Sequence, residues 1–67
     1  MRVYNKNDYD KIIKPAVFFA MNDGEEVVSI ARNYLKKAKI LYTQMQLLEG
    51  VLMAVREYDS LNKTNYA

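Results

Sequence analysis

The chain contains no histidine, no cysteine and no tryptophan. Without an imidazole it has no ready general base near neutral pH. Without a thiol it has no thiolate nucleophile, no disulfide framework and no cysteine-ligated zinc. The lack of cysteine fits a reducing, cytoplasmic setting. Glycine occurs twice and proline once. Charge of one sign is also scarce: ten Lys and Arg against eight Asp and Glu leave a net +2, too little by itself to announce a nucleic-acid binder. Long apolar runs are missing too. The longest uncharged stretch, 40–48, is interrupted by Thr43, Gln44 and Gln46 and falls far short of the ~20 residues a membrane-spanning helix needs. The polar start, 1–8, leads into no apolar signal core.

What remains is a 67-residue chain in which 51% of residues are apolar. That length makes one domain, 1–67, with a polar arm at 1–7 and a fraying tail at 59–67. A core this small rarely supplies more than ~3–5 kcal/mol unaided. Apolar material beyond what one such core hides points to self-association as a homodimer or higher oligomer.

The periodicity is helical, so the fold class is all-α. Asn7 or Asp8 can cap a first helix. From there Tyr9, Ile12, Ile13, Ala16, Val17, Ala20 and Met21 recur at three- and four-residue steps, the signature of one helical face. Pro15 lies inside that pattern and removes an intrahelical donor, which predicts a kinked helix over about 8–21. Asn22-Asp23-Gly24-Glu25-Glu26 reads as a tight turn. Asp23 and Glu26 have the spacing of a capping box, and Gly24 suits a left-handed helix end.

Beyond the turn, Val27, Ala31, Tyr34, Ala38, Leu41, Met45, Leu48, Leu52 and Val55 fall at alternating four- and three-residue steps. This is an unbroken heptad seam, and it predicts one long helix over about 24–58. Gly50 takes the outermost heptad position in that register, so the helix is expected to run through it. The resulting picture is a helical hairpin, with a short kinked helix folded back on a long one. The second half of the long helix outruns its cover. Leu41, Met45, Leu48, Leu52 and Val55 are therefore the self-association residues, pairing as a coiled coil or small bundle. In that arrangement Leu48→Asp should dissociate and largely unfold the protein.

Sites for chemistry are weak. Asp8-x-Asp10 and the acids at 23–26 lack the spacing of a calcium loop, and capping accounts for both groups. Ser29, Thr43, Ser60 and Thr64 have no base partner, and a two-helix chain offers little to enclose one. No catalytic, metal or cofactor residue is expected, and no small-molecule substrate. Arg32, Lys36 and Lys39 share an outward face at helical spacing and can be a solubilising face or a contact for an acidic partner surface. The tyrosines Tyr4, Tyr9, Tyr58 and Tyr66, with Met45 and Met53, have the large area and adaptability of interface residues. Tyr58 joins the basic trio as a candidate partner contact.

Ala20, Gly24 and Ile30 have the small–glycine–aliphatic spacing of a helix-turn-helix, and 16–35 loosely resembles that motif. The resemblance implies DNA binding through the second helix of the pair. Glu25 and Glu26 depart from it by aiming acids at phosphates. The size and tyrosine content match small accessory products of phages and mobile elements. The function expected is that of a small non-catalytic regulatory or inhibitory protein that binds a larger protein, with a DNA-binding regulator as the alternative.

Overall fold

The structure, a computed structural model, describes residues 1–66, with side chains through Lys63. It is all-α apart from one pair of two-residue strands. In chain order, β1 is Arg2–Val3. Helix α1 spans 6–23 in three consecutive segments, Lys6–Asp8, a π-helical Tyr9–Ile13, and Lys14–Asp23. Helix α2 is Val27–Lys37, β2 is Ile40–Leu41, and α3 is Gln44–Tyr66. The molecule measures 43 × 21 × 17 Å, its long dimension set by α3. No described helix is long and apolar enough to cross a membrane.

Helix α1 begins earlier than Asn7. Asn5 is its cap: the Asn5 side chain accepts from the Asn7 N–H at 2.9 Å, and the Asp8 carboxylate accepts from the Asn5 N–H at 2.8 Å. Asp8 is thus the far member of a capping box rather than the cap itself. It is also buried, at 1% exposure, where the two terminal guanidinium nitrogens of Arg2, Nη2 and Nη1, donate to it at 2.6 and 2.7 Å. These donors hold its carboxyl below the ordinary carboxylate range, with the Arg2 hydrogen bonds the largest cause.

Pro15 does not break the helix. Its missing N–H and its ring are accommodated by the wider turn just ahead of it, in which the Lys14 N–H reaches the Tyr9 carbonyl. The expected face survives: Ile13, Ala16, Val17 and Ala20 are fully buried. At the other end, Gly24 takes φ +72° and its N–H bonds the Ala20 carbonyl, the left-handed stop that glycine makes cheap. The cap of α2 is Glu26 alone, accepting from Val28 and Ser29. Asp23 is the last residue of α1 and caps nothing.

The long second helix is not present as one piece. It stops at Lys37, passes through a turn with Lys39 at φ +58°, and gives way to β2. There Ile40 and Leu41 pair in parallel with Arg2 and Val3, and the Tyr4 N–H extends the pairing to the Leu41 carbonyl at 2.9 Å. The arm 1–7 is therefore built into the fold. Helix α3 then restarts on a reciprocal capping box, Thr43 N–H to Gln46 Oε1 at 2.9 Å and Gln46 N–H to Thr43 Oγ1 at 3.1 Å. It continues past Tyr58 to Tyr66, so the described part of the expected tail is helical. Ala67 lies outside the described residues.

The break resets the helical phase. Helix α3 buries Leu47, Gly50, Val51 and Ala54, a stripe offset from the heptad seam. Its partners in the core are Ile13, Val17, Ala31, Leu35 and Ile40. Helix α3 does run through Gly50, but Gly50 faces inward rather than outward. A Cβ there would lie 3.2 Å from Ile13 Cγ2 and 3.3 Å from the Tyr4 hydroxyl.

Two outcomes are expected from this packing. On an outer helix position Gly50→Ala would gain ~1 kcal/mol. Against fully buried Ile13 the crowding outweighs that gain, and the urea midpoint should fall by the equivalent of about 1 kcal/mol. Replacing Asp8 by Ala removes the far half of the capping box and leaves the Asn5 N–H and Arg2 without their carboxylate, and should cost about 1–2 kcal/mol in the same assay. Because the Asp8 pKa is lowered on folding, its contribution is complete above the unfolded value of about 4 and is lost as pH falls through the folded value. Acid titration followed by circular dichroism should show that loss in the native chain and little of it in Asp8→Ala.

Candidate functional site

The seam residues of α3 that do not enter the core form its outer face. Met45, Leu48 and Leu52 are 68%, 45% and 52% exposed, and their three- and four-residue spacing stacks them along one side of the helix. Leu41 is 51% exposed and stands on β2, paired in register with exposed Val3. Val55 is half-buried and packs against the core. Of the five expected self-association residues, four are thus open on the surface, and three share a helical face.

Two of the basic candidates lie on α2 and the third beyond its end. Arg32 is half-buried, and its charge contributes to holding the Glu26 carboxyl below its ordinary range, after the larger effect of the bonds to Ser29. Lys36 is exposed in the last turn of α2, where the helix dipole favours a cation. Lys39 lies beyond the helix end in the turn. The trio is not a single helical face. Tyr58 is engaged inside the chain: its hydroxyl donates to Asn22 Oδ1 at 2.6 Å, and its ring meets Phe18 edge-on with centroids 5.4 Å apart. The Tyr66 side chain lies outside the described residues.

A groove between the first turns of α1 and the middle of α3 has no counterpart in the sequence reading as a site. Its volume is about 660 Å³, and Tyr4, Tyr9, Gly50 and Met53 line it, with Lys6, Asp10 and Glu49 bringing charge. Gly50 lets α3 approach α1 closely beside it, since a Cβ there would crowd Ile13 and the Tyr4 hydroxyl. The Tyr9 hydroxyl donates to Glu57 on α3, while Lys14 lies 3.8 Å from the same carboxylate. Both tyrosines are pushed above the ordinary phenol range, chiefly by burial. For Tyr9 the Glu57 hydrogen bond adds to it, and for Tyr4 the Asp8 charge does. Both are protonated at neutral pH and stand in the groove as neutral phenols.

One sequence signal for this arrangement exists. Thr43-x-x-Gln46 is itself a capping box. Starting a helix at that point places Leu47, Gly50, Val51 and Ala54 on one face. No protein-family model, no curated protein and no solved structure matches the chain.

Because the Tyr9 pKa is raised on folding, Tyr9 stabilises fully below pH ~10 and loses that contribution above it. Tyr9→Phe, which also frees Glu57, should flatten the alkaline limb of a stability-versus-pH curve measured by urea unfolding.

Proposed function

We propose that this chain is a small non-catalytic interaction protein that pairs with a second copy through the outer face of α3 and, in that form, binds a larger protein. The observation that supports the reading is the exposed apolar face of Met45, Leu48 and Leu52 on α3, with exposed Leu41 on β2, on the surface of a 67-residue molecule. Exposed apolar patches of this kind are characteristic of association surfaces. Because these side chains stand outside the core, Leu48→Asp is expected to separate the copies without unfolding them. That differs from the outcome the heptad seam alone implies. Sedimentation equilibrium at micromolar concentration should give a dimer or higher oligomer for the native chain and a monomer for Leu48→Asp, with equal helicity. A native chain that stays monomeric throughout overturns the reading.

A DNA-binding regulator remains the second reading, and one observation favours it: α1, the turn at left-handed Gly24, and α2 follow the helix–turn–helix order, with Ala20 buried. Weighing against it, Ala31 and Leu35 direct α2 into the core, and Glu26 occupies the donors of its first turn, where a phosphate would bind. Replacing Arg32, Lys36 and Lys39 together by Glu separates the readings. Duplex DNA retarded by the native chain at low salt, and released by this triple substitution, supports the regulator. No retardation at any salt supports the protein partner.

A further inference from the structure

We propose that the groove beside Gly50 receives a cationic side chain, an arginine or lysine presented by a basic segment of a partner protein. The proposal rests on reading the chain as an interaction protein, but it concerns a surface separate from the Leu48 stripe. Four features of the groove converge on that ligand. Its walls include the rings of Tyr4 and Tyr9, and aromatic faces attract cations. Met53, 53% exposed, adds a soft apolar wall suited to the aliphatic stem of such a side chain. Asp10 and Glu49 bring two carboxylates against the single cation Lys6. Among the described residues neither of these two carboxylates is in a salt bridge. An apolar slot with an acidic rim is complementary to a long apolar stem with a cationic head.

The walls of the slot are held in place. Gly50 lets α3 pack closely against Ile13 and the Tyr4 hydroxyl, and the capping box of Asn5 and Asp8 fixes the α1 turn that carries Tyr9 and Asp10. The Tyr9–Glu57 hydrogen bond ties that turn to α3. Little rearrangement is needed on binding, which favours affinity.

The test titrates isotope-labelled protein with a capped hexa-arginine peptide, using a capped hexa-glutamate peptide as control. The expected result is saturable movement of the Gly50 amide and Met53 methyl resonances with hexa-arginine alone, weakening as salt rises. Since the whole chain carries a net +2, attraction of a polycation reports a local site. The near-isosteric double variant Asp10→Asn, Glu49→Gln should fold as the native chain does and bind roughly three- to tenfold more weakly. Absence of movement at Gly50 and Met53, or equal binding by the double variant, overturns the proposal. Repeating the titration on Leu48→Asp keeps the two readings apart. Groove binding that persists there stands whatever the sedimentation result, and groove binding lost there while helicity is retained assigns the movement to the copy-to-copy surface and overturns the proposal.

Discussion

The carboxylate of Asp8 is the group on which the arrangement depends. Placing a charge at 1% exposure is tolerable only when donors surround it. Asp8 collects them from two parts of the chain, the Arg2 guanidinium and the Asn5 backbone. In doing so it bends the N-terminal arm back over the start of α1. That bend presents Arg2–Val3 to Ile40–Leu41, and the strand pairing that results occupies the residues on which a continuous second helix would have to be built. A single carboxylate thereby connects the helix cap, the only strand pair among the described residues, and the interruption that divides α2 from α3.

Much of the fold is legible in the sequence because it depends on local physics. The α1 stripe of Ile13, Ala16, Val17 and Ala20 and the left-handed stop at Gly24 both follow from spacing and backbone preference. What is not legible depends on a contact distant in sequence. Thirty-eight positions separate the paired residues Arg2 and Ile40, and no periodicity reports such a pairing. The heptad spacing across 34–45 therefore persists on paper while the chain turns, and residues assigned to one seam divide between core and surface. Ala31 lies inside, Leu48 and Leu52 outside. Gly50 is the clearest instance, outermost in the heptad register and against Ile13 in the fold.

The same reset explains which parts of the candidate surface could be read in advance. Leu41, Met45, Leu48 and Leu52 emerge as open whether α3 is part of a long helix or starts afresh, because in both cases no element of the same chain covers them. Tyr4, Tyr9 and Met53 carry the composition of an interface. Their meeting around Gly50 requires the inward phase of α3 and the tethered arm together, and composition cannot supply that. The basic trio fails as one face for a related reason: Lys39 lies past the end of α2, in a turn, where helical spacing no longer applies.

The wide turn at Tyr9–Ile13 carries a consequence for how the sequence can change. A π-helical turn holds one residue more than the α-helix around it, and so it behaves as a single-residue insertion absorbed without a loop. Loss of one residue from this stretch would restore regular winding while leaving the turns on either side nearly in phase, so Asp8 would keep its buried place. The cost would fall at Pro15, whose ring crowds the carbonyl four residues back in a regular helix. The extra residue is therefore what lets a proline stand inside α1, and substitutions at the exposed positions Asp10 and Lys11 leave that accommodation intact.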